Sequence, residues 1–257
     1  MSGEIPHHSL KIIKEYRLLY TVYPNKEAIA NTIAAKLMMY ACANKESVHI
    51  ALSGGSTPKD IFKRILQLNS HYHINWSKLH FWWVDERLVE VESSESNFGE
   101  AKRLLFDHID IPEENLHPMA MEGSSEQSAI SYVQKIKRVV PCEDGLPVFD
   151  WIWLGMGADG HTASLFVNEQ TLSSQKWVDV AKHPVTGQLR ITLTLNVLNN
   201  AKEVDFLVTG EDKAKMVHNV LVKASTSIDY PAKLIKLTSG RLMWHLDTLA
   251  AKDMGNI

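Results

Sequence analysis

The sequence predicts an α/β fold: an open, mostly parallel sheet with helices on both faces. Three observations carry that expectation. Short apolar runs alternate with amphipathic stretches along most of the chain, the pattern of strands joined by crossover helices. The 257 residues, 45% hydrophobic and 22% charged, suffice for a substantial core. No internal repeat, low-complexity tract or Pro/Gly/Ser-rich linker divides them, so a single domain over 1–257 is expected.

The elements follow in order. Asn25 is a good N-cap for a helix that places Ala28, Ile29, Ile33 and Leu37 on one face. Val48 to Leu52 reads as a strand, Ser53-Gly54-Gly55-Ser56 as a turn. Thr57 as N-cap and Pro58 at the first helical position then launch Lys59 to Leu68, with Ile61, Ile65 and Leu68 on a common face. Leu79 to Val84 is a strand ending at Asp85-Glu86-Arg87, and Asn97 to Phe106 a helix. Ser125 to Val140 is a further helix, with Ile130, Val133 and Ile136 spaced for burial, and Phe149 to Leu154 is a strand entering a glycine-rich turn. Arg190 to Leu195 and Glu203 to Val208 read as strands, Asp212 to Val222 as a helix, and Leu234 to Leu237 as a last short strand. Ligands of such sheets bind at the carboxyl ends of the strands, so chemistry is sought in the loops that follow them.

Charge and composition narrow the function. A formal net charge of -3 with scattered Lys and Arg leaves no footprint for nucleic acid. Nowhere do ~18 apolar residues run together, so no membrane span is expected, and Met1 to Tyr16 lacks the apolar core of a signal peptide. The expected location is the cytoplasm. Cys42 and Cys142 have no close-spaced partner and read as reduced thiols without a role. Among the 12 histidines, His7-His8 and His71-Tyr72-His73 invite a metal reading, but both lack the Cys, Asp or Glu spacing of a closed site. No metal is expected.

Three loops can carry chemistry. Ser53, Gly54, Gly55, Ser56 and Thr57 combine close backbone approach, hydroxyl donors and a helix N-terminus, which suits phosphate. A plain tight turn explains the same residues about equally well, and neither the nucleotide P-loop nor the dinucleotide fingerprint is present. Asp85-Glu86-Arg87 follows an aromatic strand. An exposed charged turn would explain it alone, yet Arg87 has the planar fork suited to phosphate and Asp85 is a carboxylate that can orient it. In Gly155-Met156-Gly157-Ala158-Asp159-Gly160-His161, the glycines free the backbone around an imidazole and a carboxylate two residues apart. His161 is the best general-base candidate, oriented by Asp159, against the alternative of a helix-capping histidine. Arg190 and Lys213 lie at plausible rims, where lone basic residues are usually solvated. The residues by themselves therefore lead to an α/β enzyme or binding protein for a small phosphorylated ligand.

These segments together resemble the 6-phosphogluconolactonase family, which is related to the glucosamine-6-phosphate deaminases. The resemblance is carried by Ser53 to Pro58, by Asp85-Glu86-Arg87 followed by Ser96-Asn97, and by Gly155 through Phe166. It continues through Arg190 to Thr194, the Gly210 to Lys213 turn, Pro231-Ala232 and the tail with Trp244 and Asp247. Departures stand beside the chemical groups: Ala158 and Val167 where the family commonly has Pro, and Trp83 where it is typically small or polar.

The resemblance implies a Rossmann-like sheet, no metal and no organic cofactor, and hydrolysis of 6-phospho-D-glucono-1,5-lactone in the oxidative pentose phosphate pathway. Its substrate is a phosphorylated sugar lactone, and no obligate protein partner is implied. By position, Ser53, Gly54, Gly55, Ser56, Thr57, Arg87 and Lys213 match the phosphate region, with Asp85 beside them and Arg190 a weaker member. His161 matches the family's proposed general base, supported by Asp159. Two rivals remain. Deaminases resemble Asp-Glu-Tyr at Asp85-Glu86-Arg87 and carry a catalytic Glu where Phe166 stands. A non-catalytic sugar-phosphate sensor linked to DNA would need a binding module, for which the roughly 24 residues before the first helix are too few.

Overall fold

The computed structural model describes residues 11–13, 18–72, 74–119, 123–223, 228 and 230–255. His7, His8 and His73 lie outside them. In chain order the elements are β1 (Lys11–Ile13), β2 (Leu18–Tyr23), α1 (Lys26–Cys42), β3 (Val48–Leu52), α2 (Ser56–Asn69), β4 (Leu79–Trp83), β5 (Asp85–Arg87), α3 (Asn97–Leu104), β6 (Leu116–His117) and α4 (Ser125–Val139). There follow β7 (Cys142–Glu143), β8 (Leu146–Pro147), β9 (Trp151–Leu154), β10 (Val178–Lys182), β11 (Leu189–Leu193), α5 (Leu195–Leu198), β12 (Glu203–Val208), α6 (Ala214–Leu221) and β13 (Arg241–Asp247).

Eight strands form one sheet in the order β1-β2-β13-β12-β9-β3-β4-β6. Every pairing in it is parallel except β1 with β2. All five residues of β3 and all four of β9 are buried, so the sheet is covered on both faces, as parallel sheets require. The strand order runs outward from β3 through β4 and from β9 through β12 and β13. The crevice between the carboxyl ends of β3 and β9 is therefore the switch point at which α/β sheets hold ligands. A second sheet, β10-β11-β5, is antiparallel and stands beside this crevice. The core is rich in aromatics: Trp82, Trp83, Trp151, Trp153 and Trp244 are all fully buried. Among the described residues no helix is long and apolar enough to cross a membrane.

Several local expectations change. Asn25 caps α1 through a side-chain bond from the Ala28 N–H, but α2 begins at Ser56 with Gly55 as its N-cap at φ +108°, so Thr57 is buried in the first turn rather than capping it. Ile130 is 61% exposed, because the buried face of α4 runs through Ala129, Tyr132 and Ile136 instead. Leu195 opens α5 rather than extending β11. Asp212 belongs to a 3-10 turn that precedes α6. Leu234 to Leu237 is not a strand: Pro231–Leu234 is a 3-10 turn and the last strand is β13, which, like β1, β2, β6, β7, β8 and β10, the sequence pattern did not indicate. Asp85-Glu86-Arg87 is not the end of a strand but a strand of its own, in the second sheet.

Candidate active site

Each half of the crevice is built by a loop that leaves a central strand. After β3, Gly55 supplies the positive φ that turns the chain into α2, whose first-turn N–H groups point outward as donors. Ser53 Oγ is buried with no hydrogen-bond partner among the described residues. Thr57 Oγ1 lies 3.0 Å from Thr209 Oγ1, which ties the loop to the end of β12.

Antiparallel pairing of β5 with β11 sets Arg87 directly opposite Arg190. Burial, then the Arg87 charge, lowers the pKa of Arg190. Two like charges on facing cross-strand positions in a half-buried place are relieved by an anion. Arg87 Nη1 donates to the Glu95 carbonyl at 2.6 Å while its Nε is buried without a partner. Arg190 Nε donates to Gln188 at 3.3 Å, and its guanidinium lies 5.8 Å from the centre of the Phe166 ring. Asp85 does not orient Arg87: its carboxylate accepts instead from Ser164 Oγ at 2.6 Å. Glu86 turns away from the crevice to the start of α3, where it accepts from the N–H groups of Asn97 and Phe98, each at 2.8 Å.

After β9 the glycine turn folds back tightly. His161 Nδ1 is 2.6 Å from Asp159 Oδ1, and a Cβ on Gly157 would stand 2.2 Å from that nitrogen. Only glycine at 157 leaves room for the pair. The hydrogen bond from His161 is the main reason the Asp159 carboxyl is lowered to about 2. A carboxylate there assigns the proton to Nδ1 and leaves Nε2 as the basic nitrogen. The imidazole packs on Phe166, with ring centres 5.1 Å apart, and is 29% exposed.

The loops enclose an open cavity of about 270 Å³. Ser53, Gly54, Gly55, Ser56, Thr57, Asp85, Arg87, His161, Arg190 and Lys213 all line it. Asp159 stands behind His161 and does not. Lys213 pairs with Asp212 at 3.0 Å, on a turn anchored by the Gly210 N–H to Asp247 at 3.1 Å. Sequence reasoning gave no site role to Asn97, Thr209 or Met156, which also line the cavity, nor to Ser164, which holds Asp85. The signal for Asn97 was its place in the Ser96-Asn97 pair that carries part of the resemblance; the structure adds that Ser96 is the N-cap of α3. The exposed His71 bonds within its own turn, to Gln67 and Ser70, and Cys42 and Cys142 are exposed free thiols.

Fold and site together define a class: α/β proteins with a cradle for a small anion at the switch point and an imidazole facing it. The chain belongs to the glucosamine-6-phosphate isomerase/6-phosphogluconolactonase family, whose model matches residues 24–244. It is 41% identical to the 6-phosphogluconolactonase of Haemophilus influenzae over 91% of this chain and 98% of that one. Among solved structures, the devB protein superposes with a TM-score of 0.87 at 42% identity, covering 91% of this chain and 98% of that chain. The 6-phosphogluconolactonase of Trypanosoma brucei superposes with a TM-score of 0.81 at 26% identity, covering 96% and 100% respectively.

Proposed function

We propose that this chain, acting as one domain in the cytoplasm, hydrolyses 6-phospho-D-glucono-1,5-lactone to 6-phospho-D-gluconate, the lactonase step of the oxidative pentose phosphate pathway. One observation carries the reading: His161, held by Asp159, lines one cavity with Arg87, Arg190 and the glycine loop at α2. The phosphate sits among Arg87, Arg190, Lys213 and the Ser53–Thr57 loop, which sets the lactone carbonyl beside a water held at His161 Nε2. The imidazole takes the water's proton as oxygen attacks the carbonyl carbon, and backbone N–H groups of the glycine turns stabilise the oxyanion. The imidazolium, supported by Asp159, then protonates the ring oxygen as the C–O bond breaks.

No observation favours the deaminase reading. Phe166, where those relatives carry the catalytic Glu, is 1% exposed and packs on His161, and Arg87 replaces their tyrosine. The test uses fresh 6-phosphogluconolactone, with acid release followed above spontaneous hydrolysis in EDTA. Acceleration by the wild type, reduced ~10²–10⁴-fold by His161→Ala, is the expected result. An unchanged rate in a folded His161→Ala protein removes the base assignment. No acceleration by the wild type rejects the reaction.

A further inference from the structure

Asn97 is the first residue of α3, and three contacts fix it. Its backbone N–H donates to Glu86 Oε1 at 2.8 Å, and its Nδ2 donates to the Asp85 carbonyl at 2.9 Å. Its amide also presses so closely on Gly54 that a Cβ there would stand 1.9 Å from Oδ1. The side chain is 8% exposed and lines the cavity. One amide therefore spans from the strand that carries Arg87 to the glycine loop that follows β3. The frame beneath it is stiff, because the buried Glu86 carboxylate also accepts from the N–H of Arg87 at 2.8 Å and from Ser96 Oγ at 3.2 Å.

We propose that Asn97 is a positioning residue that holds the Ser53–Thr57 loop at a set distance from the Arg87 strand, and so governs affinity for the phosphate group. The two halves of the anion cradle stand on separate elements, the β5–β11 strand pair and the glycine loop after β3. Charge-assisted bonds from both to one phosphate require that their spacing be set before the ligand arrives. The same contact accounts for glycine at 54: any side chain there must push the amide off the Asp85 carbonyl. The inference rests on the cavity being a sugar-phosphate site.

Asn97→Ala, Gly54→Ala and the double variant separate the possibilities. The readouts are KM and kcat for the lactone and the dissociation constant of inorganic phosphate by titration calorimetry. Asn97→Ala is expected to weaken phosphate and raise KM about tenfold, with kcat falling less than about threefold, as fits one lost buried hydrogen bond and a loosened loop. Gly54→Ala is expected to weaken phosphate more than Asn97→Ala does, and adding Asn97→Ala to it restores part of the loss. A purely structural role would lower thermal stability without this split between KM and kcat. Unaltered phosphate affinity in Asn97→Ala, or a double variant no better than Gly54→Ala, overturns the proposal. Should Asn97→Ala fail to unfold cooperatively, Asn97→Ser gives the same readouts. A wild type that binds phosphate but opens no lactone ends the functional reading and leaves this one to the phosphate titrations; a wild type that binds no phosphate ends both.

Discussion

Arg87 and Arg190 are directly opposite in one antiparallel register, and the Nε of Arg87 is buried with no partner among the described residues. Both donate to neutral oxygens, the Glu95 carbonyl and the Gln188 amide, and neither makes a direct ion pair among the described residues. Removing one should cost affinity for the anion rather than the chemical step. Arg87→Ala is expected to raise KM about 10–100-fold, the size of a lost charge-assisted bond, with a smaller change in kcat. Steady-state kinetics with competitive inhibition by 6-phosphogluconate checks this, and an unaltered KM takes Arg87 out of the phosphate site. The residue types at these positions were legible because Arg87 directly follows an aromatic strand. That Arg190 is its cross-strand partner was not, since pairing between residues so far apart in the chain leaves no local mark.

At the scale of the element, the turn after β9 depends on one glycine. A methyl on Gly157 would stand 2.2 Å from His161 Nδ1 and 2.4 Å from Asp159 Oδ1, too close for either side chain to stay. Gly157→Ala should therefore lower kcat by about as much as His161→Ala, ~10²-fold or more, and leave inorganic phosphate binding intact. Pre-steady-state and calorimetric measurements on the same variant separate the two effects; a kcat near wild type shows that the turn can relax. Strands β3 and β12 were readable because apolar residues fill most of each, with His49 alone interrupting β3 and Glu203 and Asp205 preceding the run Phe206 to Val208. Strand β13 was not. Its His245 and Asp247 are buried, and their partners are distant: Tyr23 Oη lies 2.9 Å from His245 Nδ1, and Asp247 accepts from Gly210. Bonds from so far along the chain leave no local mark in the sequence.

Across the whole molecule, the edge of the sheet formed by β3, β4 and β6 gathers three histidines around Trp82. His80 Nδ1 lies 3.1 Å from His117 Nε2, Trp82 stacks on His117 at 3.9 Å, and its indole N–H reaches His49 Nδ1 at 3.3 Å. Burial, then the neighbouring His80, lowers His49 to about 4 and His117 to about 3. Burial lowers His80 as well. Asp150 opposes the shift of His49, while Lys45 and Lys202 add to it; Glu114 opposes that of His80 and Lys135 adds to that of His117. In the unfolded chain these imidazoles return towards 6.5, so below that pH the unfolded state binds more protons than the folded one. Stability should hold above pH 6.5 and decline as pH falls towards about 4. Urea midpoints measured from pH 7.5 to 4.5 should show the decline, and His117→Gln should flatten it. A midpoint independent of pH over that range excludes the cluster as the cause.

The sequence by itself determined the alternation of strands and helices, the three loops that carry the chemistry, and the residue types in them, because each depends on neighbours within a few positions. Only the tertiary structure decided that ten of the eleven residues singled out share one cavity, that Asp85 serves Ser164 rather than Arg87, and that Asn97 bridges β5 and the glycine loop after β3. Those facts follow from strand order and register. They are set by packing of segments distant in the chain, whose joint energy no single segment encodes.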